Sequence, residues 1–206
     1  MNNKLVIIGA SGHGKVVADI AIKMNKWQSI AFLDDDESIK TSMGLEVIGK
    51  TIDAFTYKDE VDFFVAIGSN ATREKIQEKL IDKRLNVVSL IHPSSVIGTD
   101  VEIGIGTTVM AGVVVNSSTR IGKGCIINTS ASLDHDNVIK DYVHVSPGVR
   151  IAGNVEIGKS TWLGIGSVIS NNVNICSGCN VGAGAVMVKD ITEPGTYVGV
   201  PVRKID

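Results

Sequence analysis

Ile97-Gly98-Thr99-Asp100-Val101-Glu102-Ile103-Gly104-Ile105-Gly106-Thr107-Thr108-Val109 carries the pattern that decides the fold: an aliphatic residue returns every sixth position, and a small or β-branched one follows it by four. Stepping on by six, the first series passes through Val115, Ile121, Ile127, Leu133, Ile139, Val145, Ile151, Ile157, Leu163, Ile169 and Ile175 to Val181 without an insertion. With about a third of residues aliphatic, chance agreement over that many steps is on the order of one in ten million. The second series, from Val101 to Ala185, is small or β-branched throughout except at Asn137. A period of six matches neither the 3.6 of a helix nor the alternation of a hairpin sheet. It matches a coil whose short parallel strands turn a corner every hexad, with the large aliphatic inside and the small residue at the corner. Three hexads close a circuit of about 18 residues, so the run predicts about five coils stacked at a strand spacing of roughly 4.8 Å.

Composition follows from that geometry. A narrow prism has room for Ile, Val and Ala but not for stacked rings, and the chain has 22 glycines against 4 Phe, 3 Tyr and 2 Trp in 206 residues. Its length suffices for one large domain or two small ones. A net charge of −2 with 20% charged residues argues against disorder and against a polyanion as main partner, so nucleic acid is not expected. No apolar run approaches the roughly 20 residues of a membrane span, and the N-terminus lacks a signal-peptide pattern, so no membrane insertion and a cytoplasmic location are expected. Three cysteines do not make a disulfide framework. Cys125 and Cys179 fall in the small corner series and Cys176 follows the inward Ile175, which favours structural thiols over a Cys-x-x-Cys redox pair.

The first 90 residues read differently. Apolar runs alternate with amphipathic segments: a strand Leu5 to Ile8, a helix Lys15 to Met24, a strand Ile30 to Leu33, a strand Val61 to Ile67, a helix Asn70 to Lys83 with Ala71, Ile76 and Leu80 inward, and a closing strand Val87 to Leu90. This is the pattern of an α/β, Rossmann-like βαβ domain, residues 1–90, with ligands at the carboxyl ends of its strands. The turn Gly9-Ala10-Ser11-Gly12-His13-Gly14 does not have the G-x-G-x-x-G spacing of dinucleotide folds. With Asp34 and Asp35 ending the next strand it forms a nucleotide cradle, in which helix N-terminal N–H groups hold a diphosphate and carboxylates accept from base or ribose. A glycine turn that only packs tightly is the plainer alternative. No partner ligand at suitable spacing supports His13 as a metal ligand.

Residues 91–206 are the repeat domain, and His135 is its first candidate for chemistry. It lies in Leu133-Asp134-His135-Asp136-Asn137, the hexad whose corner carries an amide and whose outward positions are all polar. A solvated turn is one reading. The other is a general base, because a carboxylate neighbour fixes the imidazole tautomer and raises its basicity. An 18-residue circuit puts His135 beneath Gly153, whose N–H beside a base would stabilise the oxyanion of an attacked carbonyl. His144, half a circuit from His135, points away from it in one chain, so the two would converge only across a subunit contact. A homotrimer with sites in its grooves follows. Gly164-Ile165-Gly166 and Gly182-Ala183-Gly184 stack 18 residues apart into a small-residue strip where a ligand could approach the backbone, or into corners that simply need glycine. Arg203 and Lys204 offer positive charges for a ligand or form a solvated tail. Trp162 and Tyr142 are expected to point outward.

The hexads resemble the left-handed parallel β-helix of hexapeptide-repeat sugar O/N-acyltransferases. Asn128-Thr129-Ser130, His135-Asp136, His144-Val145-Ser146-Pro147-Gly148 and Ala152-Gly153-Asn154-Val155 resemble the nucleotide-amino-sugar N-acetyltransferases of bacterial glycan synthesis, most like the UDP-N-acetylbacillosamine N-acetyltransferases, with sialic acid O-acetyltransferase-like proteins as relatives. The likeness spans essentially the whole chain, including the Gly9–Gly14 turn, Leu33-Asp34-Asp35, Ala66-Ile67-Gly68-Ser69-Asn70 with Arg73, and Val198-Gly199-Val200-Pro201. It implies that His135 is the general base, oriented by Asp136 where a glutamate is also familiar, and that the Gly153 N–H serves the oxyanion. It further implies that His144 lies near the acetyl-CoA thioester, and that Ser11, Gly12, His13, Asp34, Asp35 and Gly68 contact the sugar nucleotide. Acetyl-CoA, with Ile165, Gly182, Ala183, Gly184 and Arg203 along its path, is then a co-substrate, and no metal is expected.

The reaction expected is direct acetyl transfer to the 4-amino group of a UDP-linked amino-dideoxy sugar. Its rivals are O-acetylation of sialic acid, N-acetylation of a GDP- or dTDP-linked sugar, and a trimeric sugar-nucleotide-binding scaffold without activity. A β-helical zinc carbonic anhydrase would need three histidines on one metal, and only His135 and His144 lie in the repeat, with His92 before it.

Overall fold

The computed structural model describes residues 3–57 and 61–205. The chain forms two compact units, Met1–Pro93 and Ser94–Asp206. Among the described residues no helix is long and apolar enough to cross a membrane.

In the first unit, β1 (Lys4–Ile8), α1 (Gly12–Met24) and β2 (Ser29–Leu33) are followed by a small ribbon, β3 (Thr41–Ser42) with β4 (Leu45–Glu46), then β5 (Val61–Val65), α2 (Asn70–Asp82), β6 (Asn86–Val87) and β7 (Leu90–Ile91). The closing segment is thus two short pieces where the sequence suggests one strand. The sheet runs β2-β1-β5-β6, and every neighbouring pair is parallel. Val6, Ile8, Phe63 and Val65 are fully buried, as the apolar strands of a sheet covered on both faces must be. Helix α1 starts three residues earlier than its apolar spacing suggests, because Ser11 is extended and serves as the N-cap. In α2 the inward face is the expected one at Leu80 and Ile76, which pack on the core, but not at Ala71. Ala71 is exposed and Ile76 half-buried, while Arg73, Gln77 and Leu80 are buried. Arg73 can face inward because its guanidinium donates to Ile67 O at 2.9 Å, Gly68 O at 3.0 Å and Asn70 Oδ1 at 2.7 Å.

The second unit is a parallel β-solenoid of the predicted period. Val96 pairs with Val114, Val114 with Ser132, Ser132 with Arg150, Arg150 with Val168, and Val168 with Val186, each 18 residues on. A second face stacks Thr108, Ile126, His144, Trp162 and Asn180, and the third Glu102, Arg120, Val138, Glu156 and Asn174. From Val109 to Val181 the inward aliphatic series is buried. So is the corner series from Thr107 to Ala185.

Each corner also contains a residue in the left-handed region, three positions after the inward aliphatic, at residues 100, 106, 112 and so on to 184. Asp, Asn, Ser and Gly fill these places, the residue types that tolerate positive φ. Tyr142 is the exception, at φ 58°, and it corrects the expectation that it points outward: its side chain is fully buried, with Lys159 Nζ 5.9 Å from its ring centre. Trp162 remains 44% exposed.

Candidate active site

His135 and Asp136 occupy one such corner. Asp136 takes the left-handed place at φ 58°, a conformation open to Asp, and its Oδ2 lies 2.8 Å from His135 Nδ1. The short side chain therefore reaches the ring. Because the carboxylate accepts, Nδ1 carries the proton and Nε2 presents its lone pair. The hydrogen bond to Asp136 raises the His135 pKa above its ordinary value, assisted by the charges of Asp134 and Asp136. Asp134 adds a further restraint, since its Oδ1 accepts from His135 N at 2.9 Å and from Asn116 Nδ2 at 2.9 Å.

One coil on, Gly153 lies against the imidazole. A Cβ there would stand 2.6 Å from His135 Cε1 and 2.7 Å from Nε2. Among the described residues the Gly153 N–H finds no acceptor within the chain, whereas Gly153 O accepts from Asn172 N. The His135 ring and the turn that carries this backbone donor thus lie against each other, an arrangement suited to attack on a carbonyl.

His144 lies on a different face of the solenoid, with its ring stacked on Trp162 at 5.2 Å between centres and 11° between planes. Trp162 Nε1 donates to Ser146 Oγ at 2.8 Å, and Asn128 Nδ2 is 3.3 Å from His144 Nε2. These side chains line a groove of 570 Å³ with Pro147, Gly164, Ile165, Asn180, Val181 and Ala183. Ile165 and Ala183 are therefore in the groove, and Ile165 is 62% exposed. Gly182, Gly184 and Arg203 do not line it. Gly164 and Gly182 are required by packing, since a Cβ at Gly164 would meet Ala183 N at 2.7 Å and one at Gly182 would meet Val198 Cγ1 at 2.8 Å. Gly184 holds a left-handed turn at φ 65°, and Arg203 is exposed on a short C-terminal strand, Arg203–Lys204.

In the first unit, Ser11, Asp34 and Asp35 line a groove of 230 Å³ with Gly9, Asp36, Ile39, Thr51 and Ile67. Ser11 makes no side-chain cap, which leaves its hydroxyl at the mouth of α1. Asp34 spends both oxygens on the fold, accepting from Ala10 N at 2.6 Å and Asp36 N at 2.9 Å, while Asp35 Oδ1 accepts from Thr51 N at 2.9 Å. Gly12 and Gly68 have open space where a Cβ would stand. His13 Nε2 is buried without a hydrogen-bond partner, and burial plus the Arg73 charge lowers its pKa to about 4. At neutral pH it is an uncharged ring.

Cys179 is buried 3.4 Å from Cys176 Sγ, and burial pushes its thiol up to about 12, so it supplies no thiolate nucleophile. Among the described residues, no three His, Cys, Asp or Glu side chains converge as a metal cluster would.

Residues 4–80 match the PglD N-terminal domain. Over its full length the chain superposes on the whole acetyltransferase domain of PglB from Neisseria gonorrhoeae FA1090, solved with acetyl coenzyme A, at TM-score 0.97 and 37% identity. The chain belongs to the β-solenoid sugar N-acetyltransferases. PerB of Caulobacter crescentus, solved with CoA and GDP-perosamine, shares 35% identity at TM-score 0.93, over 98% of this chain and 97% of that one. The UDP-N-acetylbacillosamine N-acetyltransferase of Bacillus subtilis is 34% identical over 112 residues, which are 52% of this chain and 51% of that enzyme.

For a sugar N-acetyltransferase, the sequence left part of the groove unread. Asn180 carries no motif of its own. Its place is visible only once the 18-residue register is laid over His144 and Trp162, which puts all three in one outward column.

Proposed function

We propose that this enzyme transfers acetyl from acetyl-CoA to the 4-amino group of a UDP-linked amino-dideoxy sugar, with His135 as general base. The carrying observation is the His135–Asp136 pair set against the spare Gly153 N–H. The amine nitrogen attacks the thioester carbonyl carbon while His135 Nε2 takes the amine proton. The oxyanion accepts from Gly153 N–H, then collapses and expels the CoA thiolate, which receives the proton from the imidazolium. In this reading the transfer is direct, from thioester to amine, without an acyl-enzyme.

The first unit acts as a Rossmann-like sugar-nucleotide domain, with Ser11, Gly12, His13, Asp34, Asp35 and Gly68 around the nucleotide. The parallel sheet and the glycine turn at its strand ends support this reading. Acetyl-CoA runs along the His144–Trp162 groove past Ile165 and Ala183, and its phosphates reach toward Arg203. The PglB domain solved with acetyl coenzyme A favours that ligand. His135 and His144 sit nine residues apart on separate faces, so the working site is completed between copies of a homotrimer with a left-handed coil. The similarity to PerB favours a second acceptor, a GDP-linked amino sugar.

The test is an assay of thiol release from acetyl-CoA with UDP-, GDP- and dTDP-linked 4-amino sugars and with sialic acid, using wild type and His135→Ala. Turnover with the UDP sugar that His135→Ala loses by roughly 10²–10⁴ supports the proposal. Release only with another acceptor, or near-normal turnover in the variant, overturns it.

A further inference from the structure

Asn137 breaks the corner series, and its hydrogen bonds show what the amide does there. The threonines of that series share one arrangement. Thr107, Thr119 and Thr161 each donate to the carbonyl fifteen residues on, those of Gly122, Asp134 and Cys176. Each also accepts from the backbone N–H eighteen residues on, those of Cys125, Asn137 and Cys179. A corner threonine therefore ties its own coil to the next through both its donor and its acceptor.

Asn137 keeps the second bond and changes the first. Its Oδ1 accepts from Val155 N at 2.8 Å, as a threonine would, but its Nδ2 turns back and donates to Asp134 O at 2.7 Å. That carbonyl immediately precedes His135 and already accepts from Thr119 Oγ1 at 2.8 Å. Two donors thus clamp the peptide that starts the His135 turn, while the other end of the same amide holds the backbone two residues after Gly153. The amide is fully buried, where a hydrogen bond is stronger and its geometry better defined than at the surface.

We propose that Asn137 is a positioning residue that keeps the His135 turn in register with the Gly153 turn. It touches neither ligand. It sets where the base stands relative to the oxyanion donor, and threonine at the same corner would retain the bond to Val155 while sending its donor to the next coil. The inference rests on the reading of His135 as base.

The test compares wild type with Asn137→Thr, Thr119→Val, Thr107→Val and His135→Ala in the acetyl-CoA assay with UDP-linked 4-amino sugar, and follows the His135 Cε1–H shift against pH by NMR. Three corners already hold threonine, so Asn137→Thr is expected to fold. Its kcat is expected to fall roughly ten- to hundredfold, the scale of a small misplacement of a catalytic group, with the KM for acetyl-CoA unchanged. The His135 titration should move down toward the ordinary imidazole value as the pair with Asp136 loosens. Thr119→Val should give the same signature more weakly. Thr107→Val, which removes an equivalent tie far from His135, should lose stability with kcat and titration unchanged.

If Asn137→Thr and Thr119→Val lower the melting temperature but keep the wild-type kcat and His135 titration, the amide is structural only and the inference is overturned. A fully active His135→Ala would instead overturn the base reading itself. An inactive His135→Ala beside a wild-type Asn137→Thr overturns the positioning inference alone.

Discussion

The His135 imidazole rests directly on Gly153, so that a methyl group at residue 153 would stand within 2.7 Å of both Cε1 and Nε2. Gly153 does not have the positive φ that marks seven other glycines of the solenoid corners, so alanine there brings no backbone strain. Its cost falls on the ring, which is exposed and free to swing away. Gly153→Ala is expected to melt within a few degrees of wild type while kcat drops roughly a hundredfold through displacement of the base. Thermal melts and steady-state kinetics on one preparation check this.

The Asp136 hydrogen bond sets a pH signature. A general base works in its neutral form, so kcat/KM should rise with pH through the His135 pKa, which lies above the ordinary value of 6.5. Asp136→Asn removes the carboxylate that holds the imidazolium. The acidic limb of its kcat/KM profile should move to lower pH, with a lower plateau because the ring is no longer oriented.

Trp162 is expected to affect binding more than chemistry. Removing its indole takes away both the stack on His144 and the bond to Ser146 Oγ. An aromatic stack contributes about 1 kcal/mol beyond its area, so Trp162→Ala should raise the KM for acetyl-CoA several-fold to tenfold, with a smaller change in kcat at saturation. Kinetics over a wide range of acetyl-CoA concentration, with the dissociation constant from calorimetry, separates the two.

His13 gives the first unit an acid-sensitive stability. Its folded pKa of about 4 lies below the 6.5 of the unfolded chain, so the unfolded state binds the extra proton. Stability is complete above pH 6.5 and declines as pH falls toward 4, where the loss approaches about 3 kcal/mol. Urea titrations between pH 7 and 4, read by Trp27 fluorescence in a Trp162→Phe background, should show this loss. His13→Asn should flatten it.

The solenoid was readable because its rule is strict: fifteen consecutive hexads supply an inward aliphatic, and every one but that of Asn137 supplies a small or β-branched corner. The contact of His135 with Gly153 was readable because stacking by 18 turns sequence distance into spatial contact. The inward face of α2 was readable only in part, at Ile76 and Leu80, because hydropathy cannot anticipate that two loop carbonyls and Asn70 would draw Arg73 into the interior. Tyr142 misled for a related reason: nothing local marks a buried ring in a place that normally takes Gly, Ser or Asp. Asn137 stood out in the sequence as an amide among small residues, but its role depends on hydrogen-bond directions that only coordinates supply. The threonines beside it show how far apart two satisfied polar corners can be in purpose.

Within one chain, the corner ladder makes the solenoid a one-dimensional stack in which each inner coil is tied to the coils on either side. Such a stack opens by fraying inward from its ends. The coil that carries His135 has coils on both sides, and the amide of Asn137 joins it to the one above. His135 therefore belongs to the last part of the stack to open, so loosening of the terminal coils leaves its corner intact until the whole stack gives way.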